Sequence, residues 1–435
     1  MNISPTMVVG LGDTGVSVIR HLRLKDRAVA VCDSRLGKRT REIPHLLKVR
    51  RDYPDVSVIP PRQFARAVAR SKRVVASPGI AIDDTLLKFA TIERVPIVGD
   101  IDLFMEEVDV PVVGITGTNG KSTTAMLVGA MLQDREFKVC GNIGLPVLDA
   151  LDSGAKGFVV ELSSFQLERL QNARFDVAAI TNIAEDHLDR HKSLDEYVSS
   201  KRRVYDNCKF AVFNGLDNNT RPESATASIA INGSSDWCVE PDGVVVNGSH
   251  ISAEQIALQG RHNYFNLVMA AAIASRFGAT DEVIREVAST FTGLQHRTQF
   301  VAQVNGADYF NDSKATNVAA SIASISSMSA DSSKLILIAG GDGKSVDFQQ
   351  LGATIDKCVS HLVLIGQDAE AIANCTKLVS CSFASSMDEA VRIAQDHASA
   401  GDRVLLSPAC ASFDMFRNFE HRGDAFAKAV VELQS

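Results

Sequence analysis

Short runs of valine, isoleucine and alanine recur along the chain, and stretches with apolar residues at helical spacing follow them. A first series reads TMVVGLG, RAVAVCD, RVVASPG and VPIVGD. A second reads VPVVGITG (110–117), GFVVELS (157–163), DVAAITNI (176–183) and FAVFNG (210–215). A third begins near residue 298 and continues through ADYFNDS, LILIAGGDG (335–343), HLVLIGQD (361–368) and DRVLLSPA (402–409). Strands that are apolar throughout, alternating with helices, predict parallel sheets covered on both faces. The expected fold class is therefore α/β in three domains, each a mostly parallel sheet flanked by helices: a Rossmann-like N-terminal domain (1–96), a P-loop ATPase-like central domain (97–294) and a Rossmann-like C-terminal domain (295–435). The second boundary is marked by FTGLQHRT after the helical DEVIREVAST. Residues 216–259, rich in Ser, Asn, Gly and Asp, read as a loop and small-strand insertion without a legible function, and no internal repeat appears. Ligands of open α/β sheets bind beyond the carboxyl ends of strands, and these strands end in Gly, Ser, Asp or Asn.

Composition narrows the classes. A chain of 435 residues suits about three domains. A formal charge of -7 argues against nucleic acid or a membrane surface as partner, so any phosphate site must be a local construction. The eight cysteines form no C-x-x-C pair and read as reduced thiols. No apolar run reaches the roughly 18 residues of a membrane span, and MNISPTMVVG lacks the pattern of a signal peptide. A cytoplasmic protein without membrane insertion is expected.

Two glycine-rich turns carry the chemistry. In VVGLGDTG, Gly10-x-Gly12-x-x-Gly15 opens a helix, and Asp33 closes the next apolar run where a dinucleotide fold places its ribose-binding carboxylate. This raises a nicotinamide-dependent oxidoreductase as one reading. GITGTNGKSTT (114–124) is the stronger signal. Its glycines let backbone N–H groups curve around a phosphate, Lys121 supplies a cation, Ser122 or Thr123 can hold magnesium, and a helix N-terminus follows. Five residues rather than four separate Gly114 from Gly120, so the strict phosphate-loop spacing is not met. ATP is the default nucleotide, which weakens the oxidoreductase reading. Glu161 ends the strand GFVVE and His187 lies just past DVAAITNI, so both can converge on the phosphate loop as magnesium ligands. Lys201, in EYVSSKRRVYDN, taken alone reads as a solvent-facing helix lysine.

TGTNGKST resembles the phosphate loop of the Mur ligase family, the ATP-dependent amide ligases of peptidoglycan precursor synthesis, whose relatives include folylpolyglutamate synthases. The similarity continues through GNIGLP (141–146), ELSSFQLE (161–168), EDHLDRH (185–191), GRHNYFN (260–266), GLQHR (293–297), NDSKATN (311–317), GGDGKSVDF (340–348) and SPACASFDMFRNFEHRG (407–423); the last four resemble the branch that adds D-glutamate. The resemblance implies a ligase using ATP, UDP-N-acetylmuramoyl-L-alanine and D-glutamate, acting through an acyl phosphate, and expected to be a monomer. It implies catalytic roles for Lys121, His187 and Lys201, the last as a CO2-derived carbamate, and two magnesium ions held by Ser122, Glu161, His187 and the modified Lys201. ATP would meet Gly117, Thr118, Asn119, Gly120, Lys121, Ser122, Thr123, Asn263, Asn266, Arg297 and Asp312. The UDP-sugar would meet Gly12, Asp13, Thr14, Ser34, Arg35, Ser77, Asn142 and Ser163, leaving Asp33 no role as a nicotinamide anchor. D-Glutamate would meet Thr316, Lys344, Ser412 and the backbone near Phe419, with Lys314 at the reaction centre. The position two beyond Arg297, often acidic in the family, is Gln299 here, which puts a local arginine–carboxylate pair in doubt. Two further readings compete: a folate-using ligase, and a nucleotide-gated binding module without catalysis.

Overall fold

Valine-rich strands can be buried on both faces only inside helix-covered parallel sheets, and such sheets form the frame of this chain. The structure, a computed structural model, describes residues 4–25, 27–36, 43, 45–223, 227–258, 260–329, 334–343 and 346–433. It divides into two compact units, Met1–Ser252 with Phe265–Val287, and Ala253–Tyr264 with Ala288–Ser435.

The first unit holds two parallel sheets. One has the strand order Ser57–Val58, Val29–Cys32, Thr6–Val9, Arg73–Ala76, Ile97–Val98. The order reverses between Thr6–Val9 and Arg73–Ala76, so the loops that follow them diverge and open a crevice at the carboxyl edge. Gly15 is required at this turn, because a Cβ there would stand 2.1 Å from the Gly10 carbonyl oxygen. The other sheet runs Ser228–Ile231, Phe210–Asn214, Val177–Ile180, Val112–Thr116, Gly157–Glu161, Phe137–Gly141. Its order reverses beside Val112–Thr116, which places the loop GTNG at the switch point. A continuous core including Val8, Ile19, Phe104, Phe158 and Phe175 runs through this unit. Each such buried side chain contributes roughly 1.5–3 kcal/mol.

The second unit carries the sheet Gln299–Val304, Ala307–Asn311, Arg403–Leu406, Leu335–Gly340, His361–Ile365, Cys381–Phe383. Its first pair is antiparallel and the rest are parallel. Asn311 pairs in register with Leu406, so the loops NDSKATN and SPACAS start side by side.

The apolar runs of the sequence are all strands here. The strands it did not announce are short or at edges, such as Ser57–Val58, Cys381–Phe383 and Gln299–Val304. The insertion 216–259 supplies the parallel edge strand Ser228–Ile231 and a three-stranded antiparallel sheet, Trp237–Glu240, Gly243–Val246 and Ser249–Ser252. Among the described residues, no helix is long and apolar enough to cross a membrane.

Candidate active site

The phosphate loop is shaped by its own glycines and braced from below. Gly117 has φ +144°, and a Cβ there would lie 1.9 Å from Thr181 Oγ1, so only glycine fits. Segment 181–184, leaving the neighbouring strand, holds the loop. Thr118 N–H donates to the Asn182 carbonyl (2.8 Å), Asn119 N–H to Asn182 Oδ1 (3.0 Å), and Thr181 Oγ1 to the Asn119 carbonyl (2.6 Å). Lys121 begins the helix Lys121–Met131, four residues before the apolar pattern AMLVGAMLQ, and its Nζ donates to the carbonyls of Gly117 (2.9 Å) and Thr118 (2.7 Å). Ser122 and Thr123 are buried in the first turn. Thr124 Oγ1 reaches Asn266 Oδ1 at 3.5 Å, which brings the asparagine of HNYFN to this loop.

Lys201 does not face solvent. It is 1% exposed, its Nζ donates to the Gly117 carbonyl (2.8 Å), and it lies 4.6 Å from the centre of the Tyr197 ring. Two lysine Nζ atoms thus converge on one carbonyl oxygen. Burial, reinforced by the Lys121 charge, holds Lys201 well below the ordinary lysine range, while Asp186 and Glu161 oppose the shift. The shift is toward the neutral amine. Glu161 is buried at the end of its strand; Oε1 accepts from Asn142 Nδ2 (2.7 Å), whereas the buried Oε2 has no hydrogen-bond donor among the described residues. A buried carboxylate oxygen without a donor is costly, and a cation would remove that cost. His187 adopts φ +53° and sits edge-on to Phe165, with ring centroids 4.9 Å apart. With the Ser122 hydroxyl this is a carboxylate, imidazole and hydroxyl set that fits magnesium shared with substrate phosphates. Asp186 and Tyr197 belong to this site although the sequence pattern did not single them out; Asp186 stood beside the chosen His187, and Tyr197 is a helix residue whose hydroxyl meets Thr118 Oγ1 at 3.2 Å.

The crevice of the N-terminal sheet is a cavity of about 820 Å³. Gly12, Asp13, Thr14, Ser34, Arg35, Ser77 and Asn142 all line it. Ser163 is absent from its wall; it caps the helix Ser164–Leu167 and contacts Gln166, which does line the cavity. Arg20, His45 and Lys48 add cationic or imidazole groups that the glycine fingerprint did not reveal. Asp33 is taken up internally: it accepts from Leu11 N–H (2.9 Å), Arg35 N–H (3.0 Å) and the Arg35 guanidinium (2.8 and 2.7 Å). Burial pushes its carboxyl up, but these donors outweigh it and hold the group below the usual carboxylate range. Asp33 positions Arg35.

In the second unit, Asp312 is buried and accepts from Ser324 Oγ (2.6 Å), Ser407 Oγ (3.0 Å) and Thr298 N–H (3.1 Å). Burial raises its carboxyl to about 6 despite these donors. Lys314 Nζ lies 3.9 Å from the centre of the Phe419 ring, Ser412 is buried, and Thr316 and Arg297 are half-buried. Gln299, where a carboxylate was expected, accepts from His296 N–H through Oε1 (3.0 Å). Asn263 is buried near the start of the helix Arg261–Ser275. Lys344 lies outside the described residues. Arg422, which lies in SPACASFDMFRNFEHRG but was given no role there, ties the loops NDSKATN and SPACAS together: Nε donates to Ser313 Oγ (3.0 Å), Nη2 to the Ser313 carbonyl (2.8 Å) and Nη1 to the Cys410 carbonyl (3.1 Å).

A phosphate loop at one switch point, a nucleotide-sized crevice at another and a third α/β domain define a modular ATP-dependent ligase. Residues 4–99 match the Mur ligase MurD-like N-terminal domain, 115–274 the Mur ligase middle domain and 296–410 the Mur ligase glutamate ligase domain. The chain belongs to the Mur ligase family. Within it, the chain is 40% identical over 450 residues to UDP-N-acetylmuramoylalanine--D-glutamate ligase of Marinobacter nauticus, covering 98% of both chains. It is equally similar over 452 residues, and 100% of both chains, to the ligase of that name from Legionella pneumophila strain Lens. The fold is shared with a pseudomurein peptide ligase type C from Methanothermus fervidus (TM-score 0.65, 17% identity, 98% of this chain and 100% of that one). It is also shared with MurF ligase from Thermotoga maritima in complex with ADP (TM-score 0.63, 15% identity, 99% and 96%).

Proposed function

We propose that this chain joins D-glutamate to UDP-N-acetylmuramoyl-L-alanine with cleavage of ATP to ADP and phosphate, in the cytoplasmic synthesis of peptidoglycan precursors. The substrates follow from the name borne by its full-length relatives. The chemistry is carried by one observation: a buried lysine amine shares the Gly117 carbonyl with the phosphate-loop lysine. A neutral amine can attack CO2 and, on losing a proton, become a carbamate, which converts a cation into a carboxylate-like ligand. Ser122 and Glu161 would hold one magnesium ion, and His187 with the carbamate on Lys201 a second. Magnesium supplies charge neutralisation on the phosphates.

The uridine substrate occupies the crevice of residues 1–96, with Gly12, Asp13, Thr14, Ser34, Arg35 and Ser77, and Asn142 and Ser163 from residues 97–294. ATP lies along Gly117–Thr123, with Asn263 and Asn266 at adenine and Arg297 and Asp312 toward the phosphates. The substrate carboxylate attacks the γ-phosphorus and ADP leaves, a step in which Lys121 and the loop N–H groups stabilise the transferring phosphoryl group. The D-glutamate amine, held by Thr316, Lys344, Ser412 and the backbone near Phe419 in residues 295–435, attacks the acyl phosphate. The tetrahedral intermediate collapses with loss of phosphate. We read the enzyme as a monomer. ADP release measured with UDP-N-acetylmuramoyl-L-alanine and a panel of amino acids tests the reading: D-glutamate should support turnover and L-glutamate should not. Equal turnover with a folate substrate, or none with D-glutamate, would overturn it.

A further inference from the structure

The loop Ser77–Ile80 forms part of the wall of the uridine-substrate cavity and follows the strand Arg73–Ala76. Two arginines of the central domain seize its carbonyls. Arg169 Nη1 donates to Ser77 O (3.2 Å) and Nη2 to Ile80 O; Arg190 Nη2 donates to Pro78 O (3.2 Å) and Ile80 O (2.8 Å). Glu168 Oε1 accepts from both guanidiniums, at 3.1 Å from Arg169 and closer still from Arg190. Three carbonyls of one four-residue loop are therefore engaged by a single ionic cluster in which Arg169 is buried and Glu168 and Arg190 are half-buried.

Arg190 also faces the other site. It lies three residues beyond His187, and its guanidinium carbon is 4.6 Å from the centre of the Phe165 ring, the ring that meets His187 edge-on. Holding the two domains together does not require this arrangement. Across the same cavity, Ser17 Oγ (2.9 Å) and Arg20 (2.8 Å) already bind Asp149. What the cluster adds is a continuous path from the wall of one substrate site to the segment that carries a ligand of the other.

We propose that Glu168, Arg169 and Arg190 are positioning residues that couple occupation of the uridine-substrate cavity to the placement of His187, so that magnesium–nucleotide binds more tightly once the cavity is filled. The inference rests on the roles proposed above for the cavity and for His187. Calorimetric titration of the full chain with a magnesium complex of a non-hydrolysable ATP analogue, with and without UDP-N-acetylmuramoyl-L-alanine, tests it. In the parent chain the uridine substrate should tighten nucleotide binding by about fivefold or more. In Arg190→Ala, and in the milder Glu168→Gln, each ligand alone should bind within about threefold of the parent while the coupling falls below about twofold. Because the coupling is reciprocal, the affinity for the uridine substrate at saturating nucleotide should weaken by the same factor as that for nucleotide at a filled cavity. Coupling that persists in both folded variants overturns the inference and leaves the proposed function standing, as does absence of coupling in a parent that binds both ligands. A parent that binds neither ligand overturns both.

Discussion

Lys201 shows how far a single side chain can depart from its sequence context. Polar and charged neighbours surround it in EYVSSKRRVYDN, and helical periodicity alone turns it to water; only the packing of its helix against Gly117 buries it. Its burial was thus illegible, whereas the glycines and Lys121 of the phosphate loop were legible because their constraint is local. Lys201→Ala should lower ADP release by about a hundredfold or more, and added acetate or formate should restore part of it by replacing the lost carboxylate. An unchanged rate would remove Lys201 from the reaction. Asp100 makes a second case. It is buried, Gln166 Nε2 donates to its Oδ2 (3.2 Å), and its Oδ1 has no hydrogen-bond partner among the described residues. Burial raises its carboxyl to about 6 from an unfolded value near 3.8. Between those values the folded protein binds more protons than the unfolded one, so this group's contribution to stability falls as pH rises through the window and stays unfavourable above it. Asp100→Asn cannot titrate. Its stability relative to the parent should increase between pH 4 and 6 and then level off, and urea unfolding at pH 4.5 and 8 would reveal a pH-independent difference if the assignment is wrong.

Among elements, the phosphate loop and its brace act as one piece. Residues 181–184 both support the loop and lead to Asp186 and His187, so the strand Val177–Ile180 sets the loop backbone and the proposed metal ligand His187 together. Gly117→Ala would place a methyl group against Thr181 Oγ1 in a left-handed conformation, a strain of about 1–3 kcal/mol. It should raise the KM for ATP at least tenfold while leaving binding of the uridine substrate intact, since none of that cavity's lining comes from the loop. Equal loss of both would show that the strain spreads beyond the element. Long buried strands were legible as apolar runs. Ser57–Val58 was not, because two residues carry no periodicity, and Gln299–Val304 was not, because its place in an antiparallel hairpin leaves much of it half-buried or exposed. Arg190 and Arg422 stand in the motifs EDHLDRH and SPACASFDMFRNFEHRG, but their contacts were illegible for a related reason: both reach carbonyls far away in the chain, and a carbonyl leaves no mark in a sequence.

For the whole molecule, two compact units with separate cores predict that heating resolves more than one transition. The cavity for the uridine substrate lies wholly within the first unit, so ligand at a hundredfold excess over its Kd should stabilise that unit by about 2.7 kcal/mol and move one calorimetric transition without the other. A shift of both together would mean that the units melt as one. The N-terminal crevice also determines which molecules of a crowded cell the protein ignores. Nicotinamide dinucleotides bind at glycine turns of this kind, yet their ribose hydroxyls need a carboxylate with a vacant acceptor. Asp33 spends both oxygens on its own chain and presents an arginine in its place. Added oxidised or reduced nicotinamide dinucleotide should therefore leave ADP release unchanged, which would uncouple the activity from the redox state of its surroundings.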